Sequence, residues 1–198
     1  DNGVLKYYNF QTGVVNNTGY ATKGGDSIGG IADIDNDSHL DISFKDQNYN
    51  IDYYEIEQDD VTATGGSTDG SDTGGGWIGD INGDGDVDIV YRDANQNLVY
   101  YDSGSGTIKD TGSQTYDVGG LADIDDDSNP EVFQERTSNS LGYHDFETSS
   151  QTSLSPTVGA YVGGAGDIND DGDIDVAHMG DNSNIHIFDT GSKSDTDT

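Results

Sequence analysis

Gly79-Asp80-Ile81-Asn82-Gly83-Asp84-Gly85-Asp86-Val87-Asp88-Ile89-Val90 alternates oxygen-bearing side chains with glycine and then enters a β-branched run. Its opening recurs as Gly29-Gly30-Ile31-Ala32-Asp33-Ile34-Asp35, Gly119-Gly120-Leu121-Ala122-Asp123-Ile124-Asp125 and Gly163-Gly164-Ala165-Gly166-Asp167-Ile168-Asn169. The leading acids Asp33, Asp80, Asp123 and Asp167 are spaced by 47, 43 and 44 residues. A second feature keeps register with the first. Ile51, Leu98, Leu141 and Ile185 each lie 18 residues after a leading Asp, and each opens a strand-like run such as Ile51-Asp52-Tyr53-Tyr54. A fifth such run, Leu5-Lys6-Tyr7-Tyr8, stands near the start without an acidic segment before it. Periods of this length mark stacked repeats, each one supersecondary unit.

Each unit reads as strand, acidic loop, strand, short turn, strand, and a Gly/Ser/Thr-rich return. The turns Asp46-Gln47-Asn48-Tyr49-Asn50, Asp93-Ala94-Asn95-Gln96-Asn97, Thr137-Ser138-Asn139-Ser140 and Asp181-Asn182-Ser183-Asn184 are rich in residues that cap backbone groups and tolerate left-handed dihedrals. Three or four strands in about 45 residues match a propeller blade, so the expected fold is all-β, a β-propeller of four blades. The alternative is a fragment of a larger propeller, or one completed by a partner. Blades are covered on both faces, which accounts for the doubled aromatics Tyr53-Tyr54 and Tyr100-Tyr101. A single domain is expected over residues 1–190, with a polar tail at 191–198. The glycine runs Gly65-Gly66 and Gly74-Gly75-Gly76 read as returns.

Within each acidic loop, oxygen donors occupy positions 1, 3, 5 and 9, and the backbone carbonyl at position 7 is a further candidate ligand. The sets are Asp33, Asp35, Asp37, His39 and Asp41; Asp80, Asn82, Asp84, Asp86 and Asp88; Asp123, Asp125, Asp127, Asn129 and Glu131; and Asp167, Asn169, Asp171, Asp173 and Asp175. Ca²⁺ takes six to eight oxygen ligands, so each loop is a candidate calcium site, up to four in all. Glycine at position 6 suits a sharp turn; Gly85 and Gly172 supply it in loops 80–88 and 167–175, while Ser38 and Ser128 stand there in loops 33–41 and 123–131. An EF-hand needs Glu at position 12, where Phe44, Tyr91, Gln134 and His178 are found instead.

The loop motif, carried most fully by Gly79 to Val90 and by Gly166-Asp167-Ile168-Asn169-Asp170-Asp171-Gly172-Asp173-Ile174-Asp175-Val176, resembles the FG-GAP/VCBS repeat found in the propeller of integrin α chains. The resemblance spans four units and implies calcium held in hairpin loops between the first two strands of each blade. It also implies extracellular adhesion, ligand-binding or carbohydrate-related roles. Where the family has Phe-Gly, this sequence has Ile28-Gly29, Gly75-Gly76, Val118-Gly119 and Val162-Gly163.

Composition narrows the partners. Of 198 residues, 39 are acidic and 7 basic, for a net charge of −32. Such a surface repels phosphate backbones and anionic lipid, so neither nucleic-acid binding nor membrane insertion is expected. Concentrated salt, where the Debye length is about 3 Å at 1 M, would screen the self-repulsion, so a halophilic setting is expected. There is no cysteine, and His39, His144, His178 and His186 are scattered along the chain, so no catalytic set is read. The expected function is a calcium-stabilised adhesion or binding module on an extracellular, cell or virion surface in high salt. Its expected partner is a cell-surface protein or glycan, with assembly into other chains an option. The alternatives are a lectin-like propeller, with tyrosines or Trp77 stacking on sugar, and, third, a polysaccharide-acting enzyme.

Overall fold

The computed structural model describes residues 3–23, 27–70 and 76–198. Among these residues the chain is all-β, with antiparallel pairing throughout and no helix. Gly74 and Gly75 of the glycine-rich return lie outside the described residues.

A hairpin of β1 (Gly3–Asn9) and β2 (Val14–Thr22) comes first. Sheet I is a meander of β3 (Ile28–Ala32), β4 (Asp41–Lys45), β5 (Asn50–Glu55) and β6 (Asp60–Ser67). Sheet II follows with β7 (Trp77–Gly79), β8 (Asp88–Arg92), β9 (Asn97–Asp102) and the first half of the long β10 (Thr107–Ala122). The second half of β10 opens sheet III, continued by β11 (Glu131–Arg136), β12 (Ser140–Asp145) and the first part of β13 (Ser150–Gly166). The rest of β13 opens sheet IV, with β14 (Asp175–Gly180), β15 (Ile185–Asp189) and β16 (Ser194–Asp197). The hand-over points are sharp: Gln114 pairs with Asn97 and Thr115 with Arg136, then Thr157 with Ser140 and Val158 with Gly180.

The expected order of strand, acidic loop, strand, turn and strand is therefore found four times. The Gly/Ser/Thr-rich return is itself a fourth strand. The stretch expected as a polar tail contributes one too, since β16 pairs with β15 through Ser194 opposite Asp189 and Asp197 opposite His186. All four β16 side chains are exposed, so backbone hydrogen bonds form this strand without an apolar pattern to announce it.

Four cores lie between successive sheets. Leu5 of the hairpin meets Ile42, Phe44 and Tyr54 of sheet I. Ile34, Ile51 and Tyr53 of sheet I meet Ile89, Tyr91, Val99 and Tyr101 of sheet II. Ile81, Val90 and Leu98 of sheet II meet Val118 and Val132, and Phe133 and Leu141 of sheet III meet Val158, Val162, Val176 and Phe188. Paired tyrosines thus serve opposite faces, Tyr53 toward sheet II and Tyr54 toward the hairpin. At the two ends of this stack the same repeat positions are uncovered. Ile185 is 60% exposed where Ile51, Leu98 and Leu141 are fully buried, and Tyr8 is 50% exposed where Tyr54 is buried.

Candidate metal centres

All four acidic loops are wound by one set of backbone-to-carboxylate hydrogen bonds. The position 1 carboxylate accepts the amide of position 6: Ser38 N to Asp33 at 2.9 Å, Gly85 N to Asp80 at 3.0 Å, Ser128 N to Asp123 at 2.9 Å and Gly172 N to Asp167 at 3.1 Å. The position 5 carboxylate accepts the amide of position 7, from His39, Asp86, Asn129 and Asp173. The position 9 carboxylate reaches back to the amide of position 2: Ile34 N to Asp41 at 2.8 Å, Ile81 N to Asp88 at 3.3 Å, Ile124 N to Glu131 at 2.7 Å and Ile168 N to Asp175 at 2.8 Å. Ile34 and Ile81 are buried in the cores between sheets, so position 2 anchors the loop while its neighbours turn outward.

The turn needs two left-handed residues, not one. Position 6 has φ of 72° at Ser38, 93° at Gly85, 81° at Ser128 and 95° at Gly172. The serines adopt the glycine conformation, so loops 33–41 and 123–131 share the shape of the other two. Position 4 is also left-handed, with φ of 65° at Asn36, 73° at Gly83, 63° at Asp126 and 61° at Asp170. Asn and Asp tolerate that region through local hydrogen bonding. The Asn/Gly/Asp/Asp choice at position 4 was the sequence signal for it.

The donor geometry suits a hard cation. Ligand atoms of Asp33, Asp35 and Asp37 lie within 4.8 Å of one another, as do those of Asp123, Asp125 and Asp127. In the loops with Asn at position 3, a buried carboxylate oxygen stands without a hydrogen-bond partner: Asp80 Oδ1 in one and Asp175 Oδ1 in the other. An unpaired buried anionic oxygen costs free energy unless a cation meets it. The oxygen-only donor set fits Ca²⁺ rather than a softer ion.

Burial and like charge raise several of the loop carboxylates. Burial pushes Asp41 up to about 6, and Asp88 and Glu131 up to about 7. Asp35 and Asp125 are also raised, by desolvation and then by the neighbouring charges of Asp37 and Asp127. Asp37 is lowered, because the Gln58 amide and the His39 backbone donate to it. The loops also touch one another: Asn36 Nδ2 donates to Asp86, and Gly83 abuts Asn129.

Other sequence candidates fall elsewhere. Trp77 is exposed at 39%, with Nε1 donating to Val118 O at 2.9 Å. His144 is buried against Phe146, with Nδ1 3.2 Å from Ser113 Oγ, and desolvation lowers its pKa. Reading the histidines as scattered missed one grouping. His178 and His186 are register partners across the β14–β15 hairpin and both contact Asp195. Symmetry about the Asp181-Asn182-Ser183-Asn184 turn was the signal that could have found the pair.

Comparison with family models and with curated proteins finds no match to this chain.

Proposed function

We propose that the chain is a calcium-braced binding module of the FG-GAP/VCBS type, its four meanders being consecutive blades of a propeller. The observation that carries this reading is the common winding of four acidic loops, with Asp80 Oδ1 and Asp175 Oδ1 buried and unpartnered at the two loops that carry glycine at position 6. Face-to-face stacking of small four-stranded sheets, with both faces of sheets I to III apolar, supports the blade assignment. The uncovered faces of the hairpin and sheet IV favour a ring completed by further sheets, from a longer chain or a partner, over closure by these four alone.

In this role calcium holds shape. Asp33, Asp35, Asp37 and Asp41, with their counterparts in the other loops, surround the ion, and the positions 1, 5 and 9 carboxylates are already fixed by backbone amides. Four divalent ions would move the net charge from −32 to −24, relieving the loops while leaving the acidic surface that suits concentrated salt. A cell or virion surface in that medium is the proposed setting, with a surface protein or glycan as partner.

Calcium titration in concentrated KCl tests the reading. Each occupied site adds about 2.7 kcal/mol of stability at one hundred times its dissociation constant. The melting temperature is expected to rise with calcium and fall on chelation, and Asp80→Asn and Asp175→Asn should each lose one bound ion per chain. Asp170→Asn, at an outward position, should lose none. A melting temperature indifferent to calcium would overturn the proposal.

A further inference from the structure

Sheet IV departs from the repeat at three aligned positions at once. Phe44, Tyr91 and Gln134 correspond to His178, and Asp52, Val99 and Gly142 correspond to His186. Val61, Ile108 and Gln151, each paired to the third strand at the same register, correspond to Asp195. The three side chains come from adjacent strands β14, β15 and β16, on the face that carries Val176 and Phe188 toward sheet III. They sit at the end of β14 near the 181–184 turn, the end opposite to its acidic loop.

Their contacts call for a positive charge at the centre, a proton or a metal ion. Asn182 is oriented by its own contacts, Nδ2 donating to Asp197 Oδ2 at 2.8 Å and Oδ1 accepting the Asn184 amide at 3.0 Å. That oxygen lies 3.1 Å from His186 Nε2 and accepts its proton, which in a neutral ring leaves Nδ1 unprotonated. Nδ1 of the same ring then turns a lone pair toward Asp195 Oδ2, 3.0 Å away. Two acceptors at that separation repel unless a cation or a second proton lies between them. On the other side, His178 Nε2 is 3.0 Å from Asp195 Oδ1. The His178 side chain is completely buried and its Nδ1 has no partner among the described residues, so no bond to Nδ1 selects the tautomer, and the one that presents a lone pair at Nε2 leaves the Nδ1–H unpaired.

We propose that His178 Nε2, His186 Nδ1 and the Asp195 carboxylate form a centre for a late first-row divalent cation such as Zn²⁺, separate in place and chemistry from the acidic loops. The three ligand atoms lie within 4.8 Å of one another. Tetrahedral zinc with bonds of about 2.0–2.1 Å sets neighbouring ligands roughly 3.3 Å apart, and each imidazole nitrogen stands 3.0 Å from one of the two Asp195 oxygens. Imidazole donors favour zinc, nickel or copper over calcium and magnesium, so the two kinds of site sort their ions in a mixture. The Asn182 contact to His186 Nε2–H acts as the outer partner that fixes the ring. Three protein ligands leave a fourth position for water or for a donor from a partner.

The test uses the full chain, calcium-saturated in concentrated salt, titrated with Zn²⁺ by calorimetry and with Co²⁺ by visible absorption. One zinc per chain and the intense bands of four-coordinate cobalt are expected. His186→Gln and Asp195→Asn should each weaken zinc binding at least roughly tenfold, while Asp181→Asn in the adjacent turn leaves it unchanged. Equal zinc uptake by the wild type and His186→Gln, or uptake abolished by excess calcium, would overturn the proposal as diffuse binding to an acidic surface. Should a variant fail to fold, imidazole ¹⁵N shifts of the wild type decide. Zinc must move His178 Nε2 and His186 Nδ1 to metal-bound values. Absence of that change, or its appearance only at His39 or His144, refutes the site.

Discussion

Asp52 holds its carboxylate on the face of sheet I that looks toward the hairpin, where the residue is 7% exposed. Burial, helped by the charge of Asp46, pushes its pKa up to about 6. A carboxylate raised above its unfolded value destabilises the fold once ionised. The stability present when the group is protonated, below about pH 4, is lost as pH rises through the folded value. Asp52→Asn removes that loss. It is expected to stabilise the protein by about 1–2 kcal/mol at pH 8 and by little at pH 4, read from denaturant melts at both pH values. Asp189, which caps the turn before β16, has the opposite sign. Hydrogen bonds from the Ser192 hydroxyl and amide lower it, so its contribution is present at neutral pH and lost in acid.

Among elements, the acidic loops were the most legible, because the spacing of their carboxylates sets the same backbone-to-carboxylate hydrogen bonds in all four copies. Second and third strands were legible from their apolar runs, in which Ile51, Leu98 and Leu141 are fully buried. The fourth strands were not, since Ser194–Asp197 and much of β10 and β13 are polar and held by backbone pairing. Nor was the purpose of the doubled glycines. At Gly120 an added Cβ would stand 2.7 Å from Ala165 N and 3.0 Å from Gly164 Cα, so the backbones of β10 and β13 meet there directly. At Gly164 a Cβ would meet nothing within 4 Å. Gly120→Ala is therefore expected to cost about 1–3 kcal/mol through forced backbone movement, and Gly164→Ala much less. Equal losses in thermal melts would refute the close approach.

For the whole molecule, the repeat supplies its own control. Position 18 after each leading Asp buries its side chain between its own sheet and the next: Ile51 against sheet II, Leu98 against sheet III, Leu141 against sheet IV. Ile185 has the same place in sheet IV with no sheet beyond it, and Ile168, the counterpart of buried Ile34 and Ile81, is likewise exposed. The hairpin mirrors this at the other end with Val4 and Tyr8. Every inner sheet gains from two apolar interfaces, so both end faces carry the chemistry of an interface without its burial. Leu141→Ala should cost about 2–5 kcal/mol, as deletions in packed cores do. Ile185→Ala in the isolated chain should stay within about 0.5 kcal/mol, as substitutions on exposed surface do. Denaturant unfolding of the two variants, with oligomeric state followed by light scattering, separates the arrangements. A small Ile185 effect with a monomer fits an open stack awaiting further sheets. An Ile185 loss matching that of Leu141 means that the face is covered in solution, by the chain's own hairpin if the species is monomeric and by a second copy if it is not.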